Sequence, residues 1–530
     1  MSVVRNSFAF ADLWEAVSAA VPSRTALVSG ERRLSFVELD DRASRLAGWL
    51  AERGVGPGTY VGVQMRNRVE HVEAMLAGYK LRAIPININY RLGPQELRYL
   101  YCDCGLVGVL HDEDLVADVA TAVHGLPAVR WTLAAGEAYE RALTAAPVLS
   151  IPRSGDDVYS LYTGGTTGKP KAVEWRMEDA FFACIGGGDP TAERGPVAGP
   201  GELLDRILVD RAFLPAAPLV HAAGMWTTLR WLLAGCKVVL LPRFAAVEIW
   251  DQVARERVTN INIVGDAMAG PLLAALPRAT QLDLTCLQSI VTGGAPLSRE
   301  IRERLLAALP HLMVKDSYGS SETGVHGWAV HSAAVRSTGF TTVDTVLLDP
   351  GTCHPLPAGS DQPALVARRG RVPLRYHGDE VKSAATFLTV DDQRCALTGD
   401  LAVINPDGTL QLLGRQSQCI NSGGEKIHPE EVEQTLREHP GVNDAVVVGV
   451  TDARWGQLVV AVIAPRPGSS PREEELRFHC RTRLAGYKVP KRVFLVAAVR
   501  RTVAGKLDYQ WANQFAAEGL NRVDAEAGPI

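Results

Sequence analysis

A stretch of ten residues rich in glycine, threonine and lysine restricts the folds open to this chain. Tyr162-Thr-Gly-Gly-Thr-Thr-Gly-Lys-Pro-Lys171 suits a phosphate-binding loop, because glycine lets the backbone approach a phosphate and lysine neutralises its charge. It is not a Walker A loop, because Thr163 and Pro170 stand where that motif has glycine and Ser or Thr. Taken alone, such a loop is equally well explained as a surface turn.

Helix and strand patterns alternate along most of the chain. Apolar residues recur at helical spacing in 36–51, and continuous or alternating apolar runs suit buried strands. The alternation predicts a layered α/β architecture with largely parallel sheets. The pattern indicates helices at 36–51 and 69–81, strands at 60–64, 83–87, 238–241 and 260–264, and a loop at 186–201.

After Arg415 the pattern becomes more compact, and a breaker-rich segment at 465–471 predicts a second loop. This part reads as a small α/β domain, so we predict one domain at 1–415 and another at 416–530. The predicted elements of the second domain are helices at 429–439 and 472–484 and strands at 445–450, 459–463 and 493–496.

Composition narrows the function classes. A length of 530 residues predicts two or more domains, and a formal charge of −4 argues against a nucleic-acid partner. The nine cysteines form no Cys-x-x-Cys pair, which argues against a structural metal and favours a reducing cytoplasm. We find neither a signal peptide nor an apolar run of about 18 residues, so we expect a soluble cytoplasmic protein with no membrane span.

Seven further motifs follow the glycine-rich loop in a fixed order, and together they resemble the adenylate-forming superfamily of acyl-CoA synthetases, adenylation domains and beetle luciferases. The resemblance implies a large N-terminal AMP-binding domain of several subdomains and a small mobile C-terminal α/β domain. The motifs are Pro218-Leu-Val-His-Ala-Ala-Gly224, Thr292-Gly-Gly-Ala-Pro296, Asp316-Ser-Tyr-Gly-Ser-Ser-Glu322, Leu397-Thr-Gly-Asp400, Gly414-Arg415, Asn421-Ser-Gly-Gly-Glu-Lys-Ile-His-Pro-Glu-Glu-Val432 and Arg501-Thr-Val-Ala-Gly-Lys506.

The resemblance implies that ATP, Mg²⁺ and coenzyme A are used. Tyr318 is expected to stack on adenine and Asp400 to accept from the ribose hydroxyls. Glu322 and Thr166 are expected to bind Mg²⁺, which prefers carboxylate and phosphate oxygens. The residues assigned to ATP or AMP are Thr163, Gly164, Gly165, Thr166, Thr167, Gly168, Lys171, Gly293, Gly294, Ala295, Asp316, Ser317, Tyr318, Gly319, Ser321, Asp400 and Arg415.

The implied reaction has two steps. The acid attacks the α-phosphorus of ATP, and the resulting acyl-adenylate then reacts with the thiol of coenzyme A. The resemblance makes Lys506, His221 and Glu322 catalytic and places the hinge of the small domain at Ser417. It assigns Ser422, Gly423, Gly424 and Glu425 to coenzyme A, and His221, Ala222, Gly224, Met225, Val264, Gly265, Gly293 and Val325 to the acyl pocket.

Three positions depart from the family pattern: Ala172 and Arg375 replace a usual glycine, and Ser417 replaces a usual Asp or Lys. An enzyme that only thioesterifies an acyl-adenylate made by a partner therefore stays open. So does a stand-alone adenylation enzyme with another acceptor. A luciferase-like oxygenase is disfavoured by the Gly-Gly loop at 423–424. A homodimer is the default expectation for the assembly.

The acid is expected to be bulky and apolar. The segments 174–179 and 419–426 resemble actinobacterial ligases that act on steroid side chains and other bulky acids. Small residues at 222–224 and 264–267 leave room for such an acid, although they are also compatible with tight packing. A polycyclic terpenoid or steroid acid is the first expectation, and a fatty acid is the second.

Overall fold

The computed structural model describes residues 7–148, 151–163, 170–295, 297–357, 360, 362–415, 418, 420–422, 425–452, 456–484, 486–502 and 506–527. For Arg415, Asn421, Glu425, Lys426 and residues 523–527 it describes only the backbone. The chain forms two compact units. The first comprises residues 1–337, 342–345 and 368–397, and the second comprises residues 338–341, 346–367 and 398–530.

Helices and strands are both numerous in the described parts of the chain. The helices are α1 (Phe10–Ala20), α2 (Phe36–Ala51), α3 (Val69–Lys80), α4 (Pro94–Asp103), α5 (Val116–Val123), α6 (Glu137–Ala142), α7 (Met177–Ala183), α8 (Glu202–Asp205), α9 (Ala222–Leu233), α10 (Ala246–Glu256), α11 (Gly265–Ala275), α12 (Arg299–Ala308), α13 (Glu380–Thr386), α14 (Pro429–Arg437), α15 (Glu473–Arg481) and α16 (Tyr509–Ala527).

The strands are β1 (Thr25–Ser29), β2 (Arg32–Ser35), β3 (Tyr60–Gln64), β4 (Ile84–Asn87), β5 (Gly108–His111), β6 (Trp131–Ala134), β7 (Val158–Thr163), β8 (Lys171–Arg176), β9 (Ala212–Pro215), β10 (Lys237–Val239), β11 (Asn260–Ile263), β12 (Ser289–Gly293), β13 (Met313–Ser320), β14 (Gly324–His331), β15 (Thr341–Thr342), β16 (Thr345–Leu348), β17 (Ala364–Arg369), β18 (Arg375–Tyr376), β19 (Phe387–Val390), β20 (Gln393–Ile404), β21 (Leu410–Arg415), β22 (Ile420–Ser422), β23 (Glu425–Ile427), β24 (Val442–Asp452), β25 (Gly456–Pro465) and β26 (Arg492–Leu495).

The first unit is built on two mainly parallel sheets. One has the order β14-β13-β12-β11-β9-β10-β1-β2, and its neighbours from β13 to β1 are parallel. The other is fully parallel and has the order β4-β3-β5-β6. Parallel strands need helices or loops to cross over between them, and this explains the alternation of elements in the sequence.

Helix α2 shows how local sequence sets an element. Ser35 and Glu38 form a reciprocal capping box that fixes its first turn. Its apolar stripe then buries residues three and four apart, among them Leu39, Ala43 and Leu46. The predicted bounds of this helix agree with the observed ones.

A small antiparallel sheet carries the glycine-rich stretch. Strand β7 leads into it, β8 leads out of it, and β18 pairs with the other edge of β8. Strands β7 and β8 are antiparallel neighbours, and residues 164–169 between them lie outside the described residues. The prediction of parallel sheets holds for the two larger sheets of this unit, and this smaller sheet is a local exception.

The second unit contains the sheet β23-β22-β25-β24, with β26 parallel to β25. Strand β24 alternates its side chains between two apolar layers. Ala445 and Val447 face α14 and α15, while Val446 and Val448 face α16. Covering both faces with helices produces the small α/β unit that the C-terminal pattern predicts.

Most predicted elements are present, with ends that differ by a few residues. The 186–201 segment has no helix or strand, as predicted. The observed helix α15 is shorter than the helix predicted at 472–484, because it ends at Arg481. The domain boundary at 415/416 stays a prediction. None of the described helices is long and apolar enough to cross a membrane.

Candidate active site

The strands β7 and β8 form the stem of the glycine-rich loop. Thr163 pairs with Lys171 and Tyr162 with Ala172, at the end of a six-pair ladder. The predicted phosphate ligands Gly164, Gly165, Thr166, Thr167 and Gly168 lie outside the described residues. The structure therefore describes the two ends of the loop, where Lys171 forms an ion pair with Asp379.

Helix α4 clamps this stem from the side. The Tyr162 hydroxyl donates to Asp103 Oδ2 at 2.6 Å. The Tyr99 hydroxyl lies 3.3 Å from Asp103 Oδ1 and 3.4 Å from the carbonyl oxygen of Pro170. Burial, together with Cys104 and Asp103, raises the pKa of Tyr162, so its hydroxyl stays a donor. Asp103 and Tyr99 were not predicted from the sequence, because no local pattern connects them to the loop.

The two positions that depart from the family pattern on β8 and β18 are both accommodated. Ala172 is fully buried, and its carbonyl oxygen accepts from the His377 N–H at 2.9 Å. Arg375 Nε donates to Glu174 Oε2 at 2.7 Å. Glu174 is a buried carboxylate that sequence reasoning noted only as part of a subgroup resemblance.

Glu322 follows β13 and is held on one side. The Tyr376 hydroxyl donates to its Oε1 at 2.9 Å, and the indole of the buried Trp175 donates to the neighbouring Ser321 carbonyl at 3.1 Å. Within the described ranges no group of three or more His, Cys, Asp or Glu residues could hold a metal. A single carboxylate nevertheless fits Mg²⁺, which commonly takes one or two carboxylates together with substrate phosphates.

The carboxyl ends of β12 and β13 bring two predicted adenine segments together. Gly293 pairs with Ser317 and Thr292 with Asp316, so Gly294 and Ala295 follow beside Tyr318 and Gly319. The ends of neighbouring parallel strands commonly form ligand sites. Burial raises the pKa of Asp316 to about 7, although the nearby Arg302 opposes the shift.

Tyr318 stacks on a neighbouring imidazole. The His326 ring stacks on it, with centroids 5.4 Å apart and an angle of 22° between the planes. Burial and the nearby Arg368 lower the pKa of His326 to about 3, so the imidazole is neutral at pH 7. His326 was not predicted, although it lies on β14 directly opposite the motif.

The predicted acyl segment begins at His221, which directly precedes α9. A buried amide network fixes the chain before it. Asn67 Oδ1 accepts from the Leu219 N–H at 2.7 Å, and Asn87 Nδ2 donates to the Leu219 carbonyl at 3.0 Å. Neither asparagine was predicted, because both lie more than a hundred residues earlier in the chain.

Among the small residues predicted to line the acyl pocket, Gly224 is required by tight backbone packing. A Cβ at Gly224 would lie 2.3 Å from the carbonyl oxygen of Pro218, and Met225 is fully buried in the core. Gly265 adopts a positive φ of 51°, and its N–H donates to Thr292 Oγ1 at 3.0 Å. Gly224 therefore supports the tight-packing explanation; Ala222, Val264 and Val325 remain partly exposed.

In the second unit, the register of β20 and β21 pairs Asp400 with Arg415. The Asp400 N–H donates to Thr398 Oγ1 at 2.9 Å. Ser422 and Glu425 face each other across β22 and β23, and Ser422 is buried. The predicted thiol-channel residues Gly423 and Gly424 and the predicted hinge Ser417 lie outside the described residues.

Lys506 lies at the end of a short hairpin. Arg501 forms an antiparallel bridge with Leu507, and the Thr502 N–H donates to the Lys506 carbonyl at 2.7 Å. Arg501 Nη2 contacts Asp444 Oδ2 at 2.6 Å and ties the hairpin to β24. Lys506 itself is exposed.

Comparison with known proteins matches both parts of the chain. The family profile described as AMP-binding enzyme matches residues 14–369, and that described as AMP-binding enzyme C-terminal domain matches residues 431–506. The chain is 40% identical to the medium/long-chain-fatty-acid–CoA/3-oxocholest-4-en-26-oate–CoA ligase of Mycobacterium marinum, over 97% of each protein. It is also 40% identical to the 3-oxocholest-4-en-26-oate–CoA ligase of Rhodococcus rhodochrous, over 95% of each.

Solved structures share the fold. ATP-bound MatB from Rhodopseudomonas palustris superposes with a TM-score of 0.83 at 24% identity, over 96% of this chain and 99% of that one. The anthranilate–CoA ligase AuaEII in complex with anthranoyl-AMP gives a TM-score of 0.82 at 23% identity, over 97% and 98%. The α/β fold with a large N-terminal and a small C-terminal domain is thereby confirmed.

Proposed function

The chain belongs to the family of AMP-binding enzymes, and from that membership we propose which acid it activates and which residues carry each step. It is an AMP-forming acid–thiol ligase, which uses ATP to activate a carboxylic acid and transfers the acyl group to coenzyme A.

The proposed acid is large and apolar, a steroid or other polycyclic acid, with a fatty acid as the alternative. One observation carries this proposal: relatives that are 40% identical over nearly their whole length are named for 3-oxocholest-4-en-26-oate and for medium and long fatty acids. Fold alone would not support it, because one fold hosts many substrates.

In the first step, an acid oxygen forms a bond to the α-phosphorus of ATP as the bond to pyrophosphate breaks. Lys506 stabilises the negative charge at the carboxylate and the α-phosphate, and His221 borders the acid. Thr163 and Lys171 flank the loop that holds the phosphates. When bound at Glu322 and Thr166, Mg²⁺ would neutralise phosphate charge.

Two further residues, Tyr318 and Asp400, are proposed to orient the nucleotide. Tyr318, which stacks on His326, is proposed to stack on adenine, and stacking of this kind favours aromatic partners. Asp400 accepts hydrogen bonds from the ribose hydroxyls. Positioning of this kind supplies a large part of the rate in phosphoryl and adenylyl transfer.

In the second step, the thiol sulfur of coenzyme A attacks the acyl carbon and AMP leaves with the bonding electrons. Gly423 and Gly424 are proposed to line the thiol channel, between Ser422 and Glu425. The small domain would rotate about Ser417 so that Lys506 serves the first step and the Gly-Gly loop the second.

The main alternative is an enzyme that has lost the first step and depends on a partner for acyl-adenylate. A stand-alone adenylation enzyme with another acceptor is the second. The contacts of Ala172 and Arg375 favour the complete reaction, because both residues are integrated into the stem. We further propose a cytoplasmic homodimer, and the eight cysteines of the described chain, none in a disulfide, suit a reducing compartment.

The decisive experiment separates the two half-reactions. The purified protein is given fatty, steroid and diterpenoid acids with ATP, Mg²⁺ and coenzyme A, and in parallel the matching acyl-adenylates with coenzyme A alone. Mass spectrometry of the acyl-CoA product in both arms is the expected result. Product only from acyl-adenylate would support the partner-dependent alternative, and no thioester in either arm would refute the proposed acids.

A further inference from the structure

The segment at 374–379 is fastened to the strand that leaves the phosphate loop. Arg375 pairs with Glu174 and Tyr376 with Val173 across β18 and β8. The Leu374 N–H donates to the Glu174 carbonyl at 2.7 Å, and the His377 N–H donates to the Ala172 carbonyl at 2.9 Å. The position of this segment is therefore tied to the exit of the loop.

A buried carboxylate lies beneath the segment. The Glu174 side chain is 2% exposed and accepts from Arg375 Nε and His377 Nδ1, each at 2.7 Å, and from the Tyr60 hydroxyl. Burial alone would raise the pKa of Glu174, but the hydrogen bonds from these donors hold it below its ordinary value. A buried carboxylate without its cation is strongly unfavourable.

The same segment reaches two other groups of the site. Alternation along a strand sends Tyr376 to the face opposite Arg375, and its hydroxyl donates to Glu322 at 2.9 Å. After the turn, Asp379 forms the ion pair with Lys171, and its other carboxylate oxygen accepts from the Lys382 N–H at 2.9 Å. Three residues of the segment, Arg375, Tyr376 and Asp379, thus contact Glu174, Glu322 and Lys171 respectively.

We propose that Arg375 is a positioning residue for the adenylation step: its ion pair with Glu174 fixes the segment from which Tyr376 and Asp379 hold Glu322 and Lys171. The inference rests on the proposed function and concerns ATP rather than the acid or the thiol. Arg375 itself is 62% exposed, so its importance comes from the buried partner that it neutralises. Without the Arg375 cation, the segment is expected to shift. The shift would displace Glu322 and Lys171, the two groups that we place beside the triphosphate.

The test compares Arg375→Ala with the double variant Glu174→Gln/Arg375→Ala. The single change is expected to raise the Kd for ATP with Mg²⁺ and to lower kcat/KM for adenylation by about 10- to 100-fold, because small misplacements of reacting groups cost that much. The double variant is expected to recover to within about threefold of wild type, since a neutral amide needs no cation. Thioester formation from synthetic acyl-adenylate should stay unchanged in both.

Controls separate positioning from folding and from the proposed function. Arg304→Ala removes an arginine from an exposed pair with Glu300 and should behave as wild type, while Arg375→Lys should be intermediate. ATP binding measured by calorimetry needs no carboxylic acid substrate. It therefore tests the role of Arg375 even if the proposed acids are wrong. Wild-type ATP affinity in Arg375→Ala, or a double variant no better than the single, would overturn the inference.

Discussion

The stem of the glycine-rich loop and the hairpin of Lys506 are fastened to the protein in different ways. The stem is a ladder of six residue pairs whose inner side chains, such as Tyr159 and Trp175, are fully buried. In its described residues the hairpin has an isolated bridge between Arg501 and Leu507, and its ion pairs are partly exposed.

This difference predicts where each region is sensitive to change. Removing one partner of a buried charge pair typically costs about 3–5 kcal/mol, whereas an exposed pair contributes about 0–1 kcal/mol. Changes around the stem should therefore affect both stability and ATP binding. Changes around the hairpin should affect one half-reaction and leave the fold nearly untouched.

The largest expected effect is the loss of adenylation rate when Lys506 of the hairpin is changed. Lys506→Ala should lower the rate of adenylation by about 10²- to 10³-fold, because one charge-stabilising donor is lost. Thioesterification of a supplied acyl-adenylate should stay within about threefold of wild type, as should the melting temperature to within about 2 °C. Arg522→Ala, an exposed cation of α16, is the matched control. Equal loss in both half-reactions would contradict the assignment.

The next largest effect is expected from the clamp, which is the set of hydrogen bonds between α4 and the stem. Asp103→Ala removes the acceptor of the Tyr162 hydroxyl and should raise the KM for ATP by about fivefold, in line with a partly exposed hydrogen bond worth about 1 kcal/mol. The KM for coenzyme A should not change. Asp118→Ala, on the exposed side of α5, serves as the control. If Asp103→Ala altered both KM values alike, the clamp would not be specific to the loop.

The tether of the hairpin should matter less. Arg501→Ala breaks the contact with Asp444 and should slow adenylation by about two- to fivefold, with a loss of unfolding free energy below about 1 kcal/mol. Denaturant unfolding and initial rates measure the two quantities. A large loss of stability would erase the contrast between the regions and show that the hairpin is also part of the core.

The smallest effect concerns pH. Because burial raises the pKa of Asp316 to about 7, the carboxyl is mostly protonated at pH 6 and ionised at pH 8. We propose that the Asp316 carboxyl accepts a hydrogen bond from adenine; the ionised form accepts it better, so adenosine should bind about threefold more tightly at pH 8. Adenosine is used in place of ATP because it has no phosphate group that would titrate between pH 6 and 8. Arg302 and Asp266 are the charged groups that act on Asp316.

The matched variant for this test is Asp316→Asn, whose adenosine affinity should not vary between pH 6 and 8. The same raised pKa means that the contribution of Asp316 to stability falls as pH rises from about 4 through 7, because the folded state binds the proton more tightly. A flat profile in wild type, or an equal slope in the variant, would contradict the role of Asp316.

Sequence patterns predicted the elements well where periodicity and capping agree, as in α2. The family resemblance assigned Asp316 and Gly293 to one nucleotide site, and the structure pairs the two strands that carry them, β12 and β13. They did not predict the contacts between Glu174 and Arg375 or between Asp103 and Tyr162, which are 201 and 59 residues apart. Side-chain pairing over such distances leaves no periodic signal in a single sequence.

Gly224 has a consequence for how the substrate range of this chain can change. Since the backbone of Pro218 fills the place of its side chain, almost any other residue there would force the start of α9 away from the preceding turn. Natural variation and laboratory design are thus barred from a position that we propose to line the acyl pocket. New specificities in this lineage have to arise at neighbours that already tolerate a side chain, such as Ala222 or Val264.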